Sequence, residues 1–210
     1  YIIEENTVKY IDYGNPAEFR LFVPCADRTI ALYDKNCKRV DGWEMKHTEG
    51  LISREIKHFV NSNRDYLIAK DEYKLYITDR RGNERIHVAN PLAPNAYSDV
   101  YLVRQNTPEA AFVTSTPDGK MASVDIASGN VEFVDIDSIG RDRHYMLQLS
   151  ADRFAFVSNR HYVVTDDKGQ VVSHNRLYLS SVDNAEMTYD GKIALWDREE
   201  SLGYLINGDG

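Results

Sequence analysis

Five six-residue segments of the chain align without gaps, and their spacing narrows the folds open to it. They are Thr29-Ile30-Ala31-Leu32-Tyr33-Asp34, Lys74-Leu75-Tyr76-Ile77-Thr78-Asp79, Lys120-Met121-Ala122-Ser123-Val124-Asp125, His161-Tyr162-Val163-Val164-Thr165-Asp166 and Lys192-Ile193-Ala194-Leu195-Trp196-Asp197. Each opens on a polar residue, runs through apolar or small ones and closes on Asp. A turn precedes each, as at Asp118-Gly119 and Asp190-Gly191, and a second follows, as at Arg80-Arg81-Gly82-Asn83 and Asp167-Lys168-Gly169. The unit is therefore strand, tight turn, strand, tight turn, strand, with one further strand before it reached by a longer connection. The closing aspartates stand 45, 46, 41 and 31 positions apart (34 to 79, 79 to 125, 125 to 166, 166 to 197).

A four-stranded antiparallel unit recurring at roughly 40–45 residues has the period of a β-propeller blade. The expected fold is all-β, a five-bladed β-propeller of four-stranded antiparallel blades filling residues 1–210 as a single domain. The blades are expected near 8–44, 53–88, 98–135, 142–174 and 176–207. Such a sheet is apolar on both faces and cannot bury them alone, so neighbouring blades must cover one another. Composition agrees. Tyrosine is common, at 14 of 210 residues, and no long stretch carries helical periodicity. The fifth blade is the irregular one, with an inner strand expected at 176–182 and only 31 residues back to the previous closing aspartate. Tyr1-Ile2-Ile3-Glu4 is expected to add an edge strand to it and tie the chain's ends together; the alternative is a fragment of a larger ring.

The repeats resemble those of WD-repeat and pyrroloquinoline-quinone-type propellers, and Leu195-Trp196-Asp197 looks like a literal WD dipeptide at the end of a third strand. The stretches Asp41-Gly42-Trp43, Glu55-Ile56-Lys57-His58-Phe59, Asp65-Tyr66-Leu67-Ile68 and Tyr76-Ile77-Thr78-Asp79-Arg80-Arg81-Gly82-Asn83-Glu84-Arg85 resemble the C-terminal propeller-like region of large, uncharacterised Bacteroidetes proteins. That resemblance implies a propeller excised from a longer parent protein associated with the cell envelope or periplasm. It transfers no catalytic residue.

The formal net charge of −8, from 25 basic and 33 acidic side chains, argues against nucleic acid and against an anionic membrane surface. Uninterrupted apolar runs reach only four residues, as in Tyr66-Leu67-Ile68-Ala69, too short for direct membrane insertion as a helix. The closing aspartates read as turn caps, because a ligand site needs its chemistry once while a turn needs it in every blade. Innermost strands line the channel of a propeller, so carboxylates there (Asp12, Glu55, Asp99, Asp142) are the catalytic candidates for a carbohydrate-active enzyme. A glycosidase needs two carboxylates roughly 5–9.5 Å apart. Channel-facing Arg54, His58, Arg104, Arg143 and His144 are the binding candidates, although the preferred reading of the two histidines is that they bond neighbouring blades. No histidine pair has metal-ligand spacing, so no metal site is expected. No cofactor is expected either; five short blades offer a quinone no seat.

Cys25 and Cys37 fall at opposite ends of one strand, roughly 20 Å apart at strand rise, and are expected as free thiols. Tyr33, Tyr76, Tyr162, Trp196 and Tyr204 are expected to pack between blades. The favoured reading is a non-enzymatic binding or scaffold module whose partner is a protein or another domain of the parent chain. Its expected contact face carries the connections 44–52 and 89–97. The alternative is the small glycosidase-like enzyme.

Overall fold

The computed structural model describes residues 8–14, 18–45 and 47–208. Every named element among them is a strand. Five separate antiparallel sheets follow one another along the chain. The first holds β1 (Lys9–Ile11), β2 (Arg20–Pro24) and β3 (Ile30–Tyr33). The second holds β4 (Lys57–Asn61), β5 (Arg64–Lys70), β6 (Leu75–Thr78) and β7 (Glu84–Ile86). The third holds β8 (Tyr101–Val103), β9 (Ala111–Ser115), β10 (Lys120–Asp125) and β11 (Val131–Asp135). The fourth holds β12 (His144–Ser150), β13 (Arg153–Ser158), β14 (His161–Asp166) and β15 (Val171–Arg176). The fifth holds β16 (Asn184–Met187), β17 (Lys192–Asp197) and β18 (Leu202–Asn207). Within each sheet the strands pair in chain order, each with the next. The edge strand expected at Tyr1-Ile2-Ile3-Glu4 lies outside the described residues.

Alternation along single strands explains why the sheets stack. In β5, Leu67 and Ala69 join the core shared by the first and second sheets, while Tyr66 and Ile68 join the core shared by the second and third. In β9, Phe112 faces back to the second sheet, and Ala111 and Val113 face forward to the fourth. In β13, Phe154 and Phe156 face back, and Ala155 and Val157 face the fifth sheet. Side chains of a strand point alternately to its two faces, so a continuously apolar strand belongs to two cores at once.

The sequence expectation needs correction at both ends. The first and fifth sheets have three named strands, not four. In the first, a lone bridge from Tyr33 to Arg39, with Val40 N donating to Leu32 O at 2.8 Å, stands where a fourth strand would run. In the fifth, 176–182 contributes no separate strand. Arg176 ends β15, and Leu177 and Leu179 donate backbone bonds to Arg160 and Asn159 of the fourth sheet at 2.7 and 3.1 Å. The first strand of the fifth sheet is therefore β16, which places Asp197 at the end of a second strand, not a third.

Hydrogen bonds fix that register. Asp71, just after the second strand of its sheet, accepts Gly50 N at 2.7 Å and Lys74 N at 2.9 Å. Asp197 likewise accepts Ser180 N at 2.9 Å and Glu200 N at 3.2 Å. Asp197 is thus the counterpart of Asp71. The third strand of the fifth sheet ends at Asn207, 41 positions after Asp166 (166 to 207), which restores the spacing of the other blades.

The other four closing aspartates cap turns. Asp34 accepts Asn36 N and Lys38 N at 2.8 and 2.9 Å, Asp79 accepts Arg81 N and Asn83 N at 2.8 and 3.0 Å, and Asp166 accepts Lys168 N and Gln170 N at 2.9 and 2.8 Å. Asp125 accepts Ser128 N at 2.7 Å. Each turn needs a left-handed residue. Gly82 and Gly169 supply it at φ 82° and 81°, and in the first sheet Cys37 occupies the same place at φ 58°. Cys25 and Cys37 are both free thiols.

Tyr76, Tyr162 and Tyr204 pack between sheets as expected, but Trp196 and Tyr33 do not. Alternation gives the core side to Leu195 and Leu32, so Trp196 and Tyr33 point away from the neighbouring sheet, onto faces that have no described neighbour because β17 and β3 lie in the terminal sheets. Left-handed backbone costs a non-glycine residue about 1–2 kcal/mol, less what glycine loses through a freer unfolded chain. Because Cys37 is exposed, Cys37→Gly is expected to raise stability by about 0.5–1 kcal/mol in urea unfolding, with an unchanged m value.

Candidate functional site at the axial mouth

The first strand of each sheet starts beside the end of the second strand. Ser53 N bonds Lys70 O at 3.2 Å, Asn95 N bonds Ser115 O at 2.8 Å and Asp183 N bonds Trp196 O at 2.9 Å. These geometrically equivalent bonds carry the inter-sheet connections to one end of the molecule, where the first strands begin. There a cavity of about 600 Å³ is lined from all five sheets, among others by Val8, Arg54, Glu55, Lys57, Tyr97, Asp99, Arg143, Tyr145 and Asp183.

Its charges are organised around two centres. Lys57 Nζ sits 2.9 Å from Glu55 and 3.0 Å from Asp99, and Lys9 Nζ reaches Glu55 at 3.2 Å. Burial pushes the Glu55 carboxyl upward, but the bonds and charges of Lys57 and Lys9 outweigh it and hold the group below its ordinary value. Burial likewise pushes Lys57 down, and Asp99 and Glu55 outweigh it and hold the ammonium above its ordinary range. The second centre is Arg143, whose Nη2 donates to Tyr145 Oη at 2.8 Å and to Asp183 O at 2.9 Å. Its guanidinium lies 4.1 Å from the centroid of the Tyr97 ring, which is 40 % exposed. Arg54 donates to the carbonyls of Ala96 and Tyr97 and so holds the loop that presents that ring.

The residues expected at the channel divide. Glu55, Asp99, Arg54 and Arg143 meet in the cavity. Asp12 does not; it caps Gly14 N at 2.7 Å. Asp142 offers its carbonyl to His144 Nδ1 at 2.8 Å, and its carboxylate lies 3.9 Å from Arg160 Nε. His58 pairs with Asp65 at 2.7 Å and sets its ring edge-on against Tyr13 of the first sheet, 5.0 Å between centroids. Arg104 lies beyond the end of its first strand, 3.4 Å from Asp167, in a separate cavity of about 540 Å³ between the third and fourth sheets.

His144 is fully buried beneath the mouth. Its Nε2 lies 3.0 Å from Asn95 Nδ2 and 3.2 Å from Ser115 Oγ, and Ser115 Oγ donates to Ser98 Oγ at 2.7 Å. With Nδ1–H given to the Asp142 carbonyl, Nε2 is left to accept. Burial lowers the His144 pKa, so the ring bridges the third and fourth sheets as a neutral imidazole.

Lys57, Tyr97, Tyr145 and Asp183 are site residues that the sequence reading did not single out. One signal was available. Glu55 and Lys57 stand two positions apart and so share a strand face. Tyr97 and Asp183 lie on connections, where no periodicity points.

No family model matches the chain, and no curated protein matches it. Solved structures do. BBS1N, crystallised in complex with ARL6DN, superposes with a TM-score of 0.61 at 10 % identity over 94 % of this chain and 66 % of that one. The WD40 β-propeller domain of Doa1 gives 0.60 at 14 % identity over 96 % and 68 %. BamB from Moraxella catarrhalis gives 0.54 at 14 % identity over 97 % and 62 %. The chain thus spans about two thirds of the length of these proteins. At such identities the likeness concerns the fold, and it assigns the five sheets to the β-propeller class.

Beneath the mouth, the buried ammonium of Lys70 donates to the carbonyls of Asn95 and Ser98. Burial pushes its pKa down to about 7, against the partial relief of the Asp99 charge. The unfolded chain therefore binds more protons than the folded one between about pH 7 and the ordinary lysine value near 10.4, and stability rises with pH across that window. The penalty is complete below about pH 7. Urea unfolding at pH 6.5, 8 and 9.5 is expected to show a gain of up to about 1.4 kcal/mol per pH unit above 7 that Lys70→Met abolishes.

Proposed function

We propose that the protein is a non-enzymatic interaction scaffold that receives a protein segment, from a partner or from another domain, at the axial mouth. The observation that carries this reading is the Tyr97–Arg143 stack, held in place by Arg54 and Asp183 and open to solvent in a cavity lined from all five sheets. Tyrosine and arginine fixed in one geometry are the residue types that dominate protein interfaces, because they contribute large area with little ordering cost. The crystallisation of BBS1N with ARL6DN, on a similar fold, agrees with a propeller used as a docking platform.

The hydrolytic reading has less support. Glu55 and Asp99 do converge, but on the same ammonium, and Glu55 is held ionised. A general acid needs the reverse, a carboxyl whose pKa is raised.

A photo-cross-linking residue placed at position 97 in cells is expected to give a discrete protein adduct. Arg143→Ala should weaken capture of that partner by about tenfold or more, while Arg64→Ala, at the exposed start of β5, should leave it unchanged. Hydrolysis of a panel of chromogenic glycosides that Asp99→Asn or Glu55→Gln abolishes would overturn the scaffold reading.

A further inference from the structure

We propose that the outer faces of the first and fifth sheets are blade–blade interfaces, each seated in the assembled protein against a further antiparallel sheet of the same build. The five sheets are then an arc of a larger ring. This inference is independent of how the axial mouth is used.

Five sheets share four apolar cores among the described residues, one between each consecutive pair, and no core joins the fifth sheet to the first. The two unshared faces nonetheless carry the pattern of the shared ones. On the first sheet, Phe22 enters the core with the second sheet, while Leu21 and Val23 point the other way. Leu21 stands between Tyr10 and Tyr33 across the ladder. On the fifth sheet, Ile193 and Leu195 enter the core with the fourth, while Ala194 and Trp196 point outward, and Leu205 pairs opposite Ala194. Tyr10, Trp196 and Leu205 are 52, 45 and 66 % exposed. An exposed strip of this size on two sheets, in the register used by every internal interface, continues the stacking already present.

Two further observations, an open strand edge and the length comparison, agree with a sheet as the occupant. Among the described residues β18 pairs only with β17, so the fifth sheet has an unpaired edge where the second, third and fourth each carry a fourth strand. Such an edge is a template for another strand. The length comparison gives the number. If five blades are 62–68 % of a similar propeller, the whole ring has about seven or eight, within the usual range of four to eight. A second copy of this chain fits less well. Placing the outer face of one fifth sheet on the first sheet of the next copy leaves two open faces again, and such head-to-tail contacts run on unless the rotation closes.

Hydroxyl-radical footprinting of the full-length gene product, read by mass spectrometry, tests the proposal inside one molecule. Tyr178 and Tyr189, which are exposed, serve as open references, and buried Tyr145 as the closed one. After correction for intrinsic reactivity, Trp196, Leu205 and Tyr10 are expected to label at least fivefold more slowly than the open references, at any protein concentration. Trp196→Arg is expected to lower the unfolding midpoint and restore labelling at Leu205 on the same face, while Tyr189→Arg does neither. Labelling at the rate of Tyr178 and Tyr189 overturns the proposal. Protection that vanishes on dilution also overturns it, in favour of contacts between copies.

Discussion

A β-sheet whose strands are apolar at every position must be covered twice, and the rest of this structure follows from that requirement. β5, β9 and β13 each divide their side chains between two cores. A sheet of this kind cannot bury both faces alone, so the sheets stack in series around an axis. The same requirement leaves the two terminal sheets with a face each that nothing described covers. Trp196 and Tyr10 are exposed because the series stops: Trp196 lies on the forward face that buries Val113 and Val157 in the third and fourth sheets, and Tyr10 on the backward face of the first.

The axial mouth is a by-product of that stacking. Each connection enters beside the end of a second strand, so the starts of all the first strands gather at one end, and with them whatever side chains those positions carry. The chemistry gathered there is mostly self-compensating. Lys57 is shared by Glu55 and Asp99, Lys9 completes Glu55, and Arg143 is committed to Tyr145 and Asp183. What remains available is shape and the face of Tyr97. The polar floor beneath it, made of Asn95, Ser98, Ser115, His144 and Lys70, binds the connections of the second, third and fourth sheets to one another. It accounts for the burial of a lysine and a histidine there.

Legibility in the sequence tracked locality. The closing aspartates, the strands they end and the turns that follow are set within six residues, and four of the five capping roles were readable from the repeat alone. Asp197 misled because its hexapeptide obeys the same local rules while lying one strand earlier in its sheet. The bonds from Ser180 and Ser181 distinguish it, and those residues are 17 and 16 positions away. The site was half legible. Arg54, Glu55, Asp99 and Arg143 could be placed by assuming that first strands line an axis. Asp12 and Asp142 satisfied the same assumption and were drawn instead into a local turn and a neighbouring arginine.

By itself the sequence determined that this chain is all-β, built from hairpins of fixed length, and too apolar on both sheet faces for any blade to stand alone. Periodicity of two and turn chemistry are properties of neighbouring residues, which is why they can be read without coordinates. Tertiary structure decided which strand of the last sheet comes first, which charged groups meet at the axis and which faces remain open. Those outcomes depend on contacts between residues far apart in the chain, whose partners are chosen only when the sheets have packed.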